Sequence, residues 1–153
     1  MVRMSGFNLE QFLPYLLNQA AEASSLAFQQ VYKERYGMLR NEWRVLFHLG
    51  MYGRMTAVQI AGRAQLHKTK ISRAVAKLEA RRFLTRTRDD TDRRVEHLAL
   101  TATGLAAFEE LRQIAHRYDQ ALVADLAPEE AAHLRALLAR LAQAQVTAPL
   151  RGK

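Results

Sequence analysis

The sequence predicts a mainly α-helical chain that carries one small β-hairpin. Apolar residues recur at helical spacing along much of the 153-residue chain, whereas residues 84–88 and 95–100 alternate in the manner of strands. The net charge of +8 lies in one block, since residues 54–94 hold twelve Lys/Arg against four Asp/Glu and the remainder holds eleven of each. A basic block confined to one segment favours a polyanion-binding surface over a membrane-binding or merely solvated one.

Composition narrows the class of protein further. With 49% hydrophobic and 25% charged residues, the chain is expected to fold as one domain over residues 1–153. No apolar run approaches the length of a membrane span, and residues 1–8 lack the features of a signal peptide, so we expect a cytoplasmic protein without membrane contact. The absence of cysteine excludes disulfides and thiolate metal sites within this sequence.

Helix signals follow one another through the first half of the chain. A helix is predicted over residues 14–35, with Pro14 in its first turn and Gly37 ending it. A short helix follows over residues 41–50. The segment Thr56-Ala-Val-Gln59 has the form of a capping box, which predicts a two-turn helix over residues 56–63.

After a brief turn, a basic helix is predicted from Leu66. Ile71, Val75 and Leu78 fall at i, i+4 and i+7 and give it one apolar face. A short helix, a turn and a basic amphipathic helix make up the helix-turn-helix arrangement, whose second helix enters the DNA major groove. We therefore expect its outward side chains to contact bases (Thr69, Lys70, Ser72, Arg73) and phosphates (Lys68, Lys77).

A charged hairpin follows the basic helix. Its arms are residues 84–88 and 95–100, and its polar tip holds three acids close to four arginines, Arg86, Arg88, Arg93 and Arg94. Asp92 is expected to pair with a neighbouring arginine, so that Arg93 or Arg94 projects into the minor groove, with Arg86 as a further DNA contact. A salt-bridged surface turn is the alternative interpretation.

The remaining helices complete the predicted architecture. Thr101 is expected to cap a long helix that ends near Leu126, and Pro128 to begin the last one. Apolar stripes on the first and last helices predict that residues 14–36 and 104–146 form the dimerisation lobe of a two-fold homodimer, with packing inside one chain as the alternative. They flank a winged helix-turn-helix lobe over residues 41–101.

Other kinds of site have weaker signals. The five histidines lie far apart and no zinc-site spacing, phosphate loop or nucleophile motif occurs, so we expect no metal, no cofactor and no enzymatic activity. A ligand pocket between the lobes is a further prediction, with Arg40 or Arg44 facing a ligand carboxylate and plain core packing as the alternative. Its predicted lining is aromatic and imidazole side chains, Tyr15, Trp43, Phe47, His48 and Phe108.

Four segments together resemble the MarR family of bacterial transcriptional regulators. They are Asn-Glu-Trp-Arg-Val-Leu at 41–46, Thr-Ala-Val-Gln-Ile-Ala at 56–61, the basic helix at 69–79, and Asp-Asp-Thr-Asp-Arg-Arg at 89–94 followed by Leu-Thr-Ala-Thr-Gly at 100–104. The resemblance implies a winged-helix homodimer that binds pseudo-palindromic double-stranded operators, usually represses, and releases DNA when a small phenolic or aromatic acid binds.

Two residues depart from the family pattern. Arg82 stands where the family commonly has a glycine, and His67 where an acidic residue often begins the recognition helix. Glycine tolerates a positive φ at such a helix end, whereas arginine adopts it at a cost. A module that binds DNA without sequence preference, for an architectural or protein-interaction role, is the alternative function.

Overall fold

The computed structural model describes residues 6–144, and these residues form six α-helices and three short strands. In chain order the elements are α1 (Leu13–Tyr36), α2 (Arg40–Tyr52), β1 (Met55–Thr56), α3 (Ala57–Ala64), α4 (Lys68–Ala80), β2 (Leu84–Arg88), β3 (Glu96–Leu100), α5 (Ala102–Leu122) and α6 (Pro128–Ala142). A 3-10 turn, Leu9–Gln11, precedes α1. The chain divides into two compact units between Ala115 and His116. The mainly helical fold with a small hairpin is confirmed.

The first two helices begin and end where the sequence predicts, within two residues. Pro14 lies in the first turn of α1, and Gly37 ends the helix with φ +64° while its N–H donates to the Lys33 carbonyl at 2.8 Å. At the start of α2, the Glu42 carboxylate accepts the Leu39 N–H at 3.0 Å. Glu42 is only 2% exposed, so this acid serves as an internal helix cap.

The helix-turn-helix motif is confirmed as α3 and α4. The capping box is present, since the Thr56 hydroxyl accepts the Gln59 N–H at 3.2 Å and the Gln59 amide oxygen accepts the Thr56 N–H at 2.9 Å. Gln65 turns the chain with φ +52°. Helix α4 starts at Lys68, two residues later than predicted, because His67 is its N-cap and the His67 Nδ1 accepts the Thr69 N–H at 3.1 Å.

The sheet has one more strand than the sequence predicts. Strands β2 and β3 form the predicted antiparallel hairpin, and β1 adds to the free edge of β3, with Met55 opposite Leu98. A strand of two residues has no alternation, so the sequence carries no signal for it. The largest fully buried apolar side chains are Met38, which precedes α2, and residues of α2, α3, α4, the sheet and α5: Val45, Leu46, Ile60, Ile71, Leu78, Leu84, Leu98 and Leu111.

The turn between the last two helices begins earlier in the chain than the sequence predicts. Thr101 caps α5 as predicted, since its hydroxyl accepts the Gly104 N–H at 3.0 Å, and the same hydroxyl donates to the Arg82 carbonyl at 2.7 Å. Helix α5 ends at Leu122, four residues before the predicted end, and the Leu126 N–H bonds the Val123 carbonyl in the turn that follows. The ends of two predicted ranges, 104–146 and 1–153, lie outside the described residues.

Arg82 has the left-handed backbone that glycine adopts most readily, with φ +64°. We expect Arg82→Gly to raise the free energy of unfolding by about 1 kcal/mol, because it removes a left-handed non-glycine residue and leaves the helix end intact. Chemical denaturation of wild type, Arg82→Gly and Arg82→Ala measures the effect. The alanine variant keeps the backbone cost and loses the guanidinium, so equal stabilisation by both variants would assign the effect to charge instead.

Candidate nucleic-acid interface

Helix α4 presents the predicted DNA-contacting side chains to solvent. Its inner face, Ile71, Ala74, Val75 and Leu78, is buried against the core and fixes the rotation of the helix. All six side chains predicted to contact bases or phosphates are exposed: Lys68, Thr69, Lys70, Ser72, Arg73 and Lys77. Hydroxyl and cationic donors on one outward face are the groups that reach base edges and phosphates in the major groove.

A groove of about 640 Å³ separates α4 from the hairpin, which we call the wing groove. Lys68 and Ser72 of α4 line one side of it, and Arg86 and Arg94 of the hairpin line the other. The apolar part of its lining comes from α3, α4 and β3, with Val58, Ala61, Ile71, Val75 and Leu98. The fold therefore brings four of the nine predicted DNA contacts to one concave surface, whereas the other five are not part of its lining: Thr69, Lys70, Arg73, Lys77 and Arg93.

The hairpin tip holds one arginine in a forked ion pair. Asp92 Oδ1 accepts the Arg94 Nε–H at 3.1 Å, and its Oδ2 accepts an Nη2–H at 3.3 Å. Hydrogen bonds from Arg94, first its side chain and then its N–H, hold the pKa of the Asp92 carboxyl below its usual range. The Arg94 side chain is 91% exposed, so the pair fixes its direction without covering it. Arg93, beside it, is also exposed.

A second carboxylate, Asp89, organises the rest of the tip, and sequence reasoning assigned it no role. Its Oδ2 accepts the Thr91 hydroxyl at 2.6 Å and the N–H groups of Thr91 and Asp92 at 3.1 and 3.0 Å. Its Oδ1 lies 3.0 Å from Nε2 of His97 on β3. The spacing Asp-x-Thr, typical of a side chain that bonds the backbone two residues on, is the sequence signal that could have found this turn.

The effect of Asp89→Asn on the melting temperature, measured at two pH values, tests the role of the Asp89 carboxylate in this tip. The Thr91 hydroxyl first, and then His97 and two N–H groups, hold the pKa of the folded Asp89 carboxyl well below its usual range. Its contribution to stability is therefore complete above the unfolded pKa of about 3.9 and declines as the pH falls below that value. We expect Asp89→Asn to lower the melting temperature at pH 7 and to differ less from wild type at pH 3. Asp90→Asn, at the exposed neighbour, is the control, and a deficit that is constant with pH would contradict the charge argument.

Arg86 lies in a different setting from the other predicted contacts. Its Nε is 3.2 Å from Glu79 Oε1 on α4, and its Nη1 is 3.4 Å from Glu96 Oε2 on β3. Two carboxylates thus tie this guanidinium to the end of α4 and to the neighbouring strand. Arg86 borders the wing groove, but its ion pairs also connect the hairpin to the helix.

Three side chains of the predicted pocket lining, Trp43, Phe47 and Phe108, lie in an aromatic cluster with Phe28 and Tyr32. The Trp43 ring stacks on Tyr32 with centroids 5.7 Å apart, and Phe47 lies 4.9 Å from Trp43 and 5.1 Å from Phe108. The Phe108 ring occupies the space over Gly50, where any Cβ would lie within 2.3 Å of it.

The membership of this cluster differs from the sequence-based prediction. Phe28 and Tyr32 were missed, although their i, i+4 spacing on α1 is a signal for shared packing. Tyr15 lies thirteen residues before Phe28 on the same helix, which is about 20 Å along the axis, so the fold does not bring it to the cluster in this chain. The buried Trp43 Nε1 has no hydrogen-bond partner among residues 6–144.

The polar residues predicted for this pocket all lie on α2. Arg40 contacts Glu22 at 3.3 Å and Gln29 at 3.5 Å, both on α1. Arg44 donates from Nη2 to the Ala64 carbonyl at 2.7 Å, and burial, with Arg40 nearby, lowers the pKa of its guanidinium. His48 Nδ1 lies 2.6 Å from the Arg44 carbonyl, which can only accept, so Nδ1 is the donor of this bond.

Within residues 6–144, no group of three or more His, Asp or Glu side chains is placed to hold a metal ion. Over the same range, every helix is too short or too polar to cross a bilayer.

The helix-turn-helix, the three-stranded wing sheet and the basic groove between them define a winged helix-turn-helix protein. Comparison with known proteins shows which family the chain is similar to. Residues 36–95 match the model described as MarR family. The match covers 60 of the 153 residues, and over this part the chain is similar to the MarR family.

Individual proteins of known name or structure are also similar to this chain. An HTH-type transcriptional regulator of Bacillus subtilis, YwaE, is 26% identical over 107 residues, which are 70% of this chain, and the chain spans 63% of the length of that curated relative. A MarR family regulator of Silicibacter pomeroyi has 29% identity and a TM-score of 0.77, covering 89% of this chain and 96% of its own. NadR, solved with 4-hydroxyphenylacetate, has 26% identity and a TM-score of 0.76, covering 95% of this chain and all of its own. YwaE and the Silicibacter pomeroyi protein are both described as transcriptional regulators, the class of protein that the sequence predicts.

Proposed function

We propose that this chain is a homodimeric, sequence-specific DNA-binding regulator of transcription that acts in the cytoplasm as a repressor. The observation that carries the proposal is the wing groove, which has α4 donors on one border and hairpin arginines on the other. In this proposal Thr69, Lys70, Ser72 and Arg73 contact base edges, while Lys68 and Lys77 contact phosphates. Arg93 or Arg94 enters the minor groove, with Asp92 as its orienting partner.

Exposed leucines support the homodimer. Leu13, Leu16 and Leu26 on α1 are each at least 40% exposed. On α6, no residue is buried, and the same degree of exposure holds for Leu134, Leu137, Leu138 and Leu141. A second copy that covers these faces would also supply a second recognition helix about 34 Å away, one turn of B-DNA, as a pseudo-palindromic operator requires.

A small aromatic acid is the proposed effector, and the aromatic cluster is its proposed contact surface. The unpartnered Trp43 Nε1 is a free donor there, and Arg40 and Arg44 supply positive charge on the same helix. NadR, which shares the fold, was solved with a ligand of this class, 4-hydroxyphenylacetate. An aromatic acid can make both kinds of contact at once, because its carboxylate pairs with an arginine while its ring stacks on aromatic side chains.

Selection of binding sites from random duplexes tests the proposed function. We expect enrichment of an inverted repeat bound by two chains, with a mass in light scattering that is twice that of one chain. The selected duplex should bind at least about a thousandfold more tightly than random DNA at physiological salt. Equal affinities for both, with the same steep salt dependence, would favour the module that binds without sequence preference.

Release of the selected operator tests the proposed effector separately. Titration with 4-hydroxyphenylacetate and benzoate is expected to weaken operator binding, whereas 4-methylphenol, which lacks the carboxylate, should not. Release by all three compounds, or by none, would contradict a carboxylate-dependent site.

A further inference from the structure

The turn between α3 and α4 sets the direction in which the recognition helix leaves the motif, and four contacts fix it. The Gln65 and Leu66 N–H groups both bond the Ala61 carbonyl, and the Thr69 N–H bonds His67. The fourth contact comes from outside the motif. Arg44 of α2 donates to the Ala64 carbonyl at 2.7 Å.

The Ala64 carbonyl is one of the terminal carbonyls that α3 cannot satisfy internally. Ala64 is buried, with 4% exposure, and the next residue, Gln65, leaves the helix in the left-handed region. A buried carbonyl beside such a residue needs a donor, because an unsatisfied one costs free energy and leaves alternative turn geometries competitive. The Arg44 guanidinium supplies that donor in a partly buried position where the charge strengthens the bond.

We propose that Arg44 is a positioning residue for DNA recognition, and that its bond to the Ala64 carbonyl holds the turn that orients α4. This inference rests on the proposed function, and it adds a route for regulation. Arg44 is one of the two arginines assigned above to the effector carboxylate. A ligand carboxylate that pairs with this guanidinium competes with the Ala64 carbonyl for it. Such a ligand would therefore weaken the contact that holds the turn before α4.

Arg44→Met tests the proposal, because methionine keeps an apolar stem of similar width and removes every donor. Arg35→Met is the control, since it removes the same charge at a residue assigned to neither DNA nor effector, and Arg35 pairs with Glu110 instead of the turn. Affinity for the selected operator and for random duplex is measured well below the melting temperature. We expect Arg44→Met to lose about tenfold in operator affinity while its random-DNA affinity matches that of Arg35→Met.

The ratio of the two affinities distinguishes positioning from stability. A residue that only stabilises the fold would lower the melting temperature and leave the ratio at the wild-type value, and that result would overturn the proposal. If Arg44→Met does not fold, Arg44→Lys keeps the charge with one donor group and is expected to lower the ratio by a smaller factor; an unchanged ratio there overturns the proposal as well. Equal binding of both duplexes by the wild type would instead overturn the proposed function itself.

Discussion

Gly104→Ala is expected to lower the free energy of unfolding by about 3 kcal/mol or more, because the new methyl group would overlap backbone. A Cβ at this position would lie 1.9 Å from the Phe83 carbonyl oxygen and 2.9 Å from its carbon. That carbonyl cannot retreat freely, since it accepts the Thr101 N–H at 3.0 Å, and the Phe83 N–H is itself bonded to Leu78. Urea denaturation followed by circular dichroism measures the loss.

Gly62→Ala is the matched control for Gly104→Ala. Gly62 lies inside α3, and a Cβ there meets no atom within 4 Å. The same substitution is therefore expected to stabilise the protein by about 0.5–1 kcal/mol through helix propensity alone. If both glycine variants unfolded at the wild-type midpoint, the close approach of α5 to the start of β2 would be contradicted.

Arg73→Ala is expected to cost about 1–3 kcal/mol of operator affinity and to relax the preference at one base position in each half-site. Arg73 is exposed at the centre of the outward face of α4 and forms no ion pair within residues 6–144, so its guanidinium is available to a base edge. For the same reason the melting temperature should stay at the wild-type value. Competition binding against a panel of single-base operator variants measures both the loss of affinity and the relaxed base preference.

Two other variants separate base reading from simple charge loss. Lys77→Ala, at a proposed phosphate contact, should weaken binding to all sequences similarly and reduce the salt slope by about one. Arg117→Ala removes the same charge as Arg73→Ala from α5, outside the basic block, and should leave operator affinity close to wild type. A base preference that survives in Arg73→Ala would assign this arginine to the phosphates.

The parts of the fold that the sequence predicted are those with a local physical cause. The Thr56–Gln59 capping box, the glycine at the end of α1 and the apolar face of α4 each involve residues close together in sequence, and each is present. The exposed face of α4 follows directly from its buried face, since the helical period assigns both at once. The assignment of those side chains to DNA contacts stays a prediction.

The parts of the fold that the sequence did not predict depend on contacts between residues distant in the chain. Strand β1 exists only because β3 offers it an edge, and the aromatic cluster depends on how α1, α2 and α5 meet. Arg44 was predicted from its charge as a possible ligand partner, whereas its bond to Ala64, twenty residues away, is visible only in three dimensions. The stiffness of the hairpin tip likewise depends on His97, which reaches Asp89 from the opposite strand.

The short strand β1 has a mechanical consequence for any change in the width of the wing groove. Thr56 is both the N-cap of α3 and the β1 partner of His97, and His97 in turn holds Asp89 at the hairpin tip. The wing and the start of α3 are therefore one stiff body, joined by main-chain pairing and side-chain bonds. Helix α4 is connected to this body by the Arg86–Glu79 ion pair and by the turn at Gln65. Any change in the width of the groove would therefore have to strain both connections.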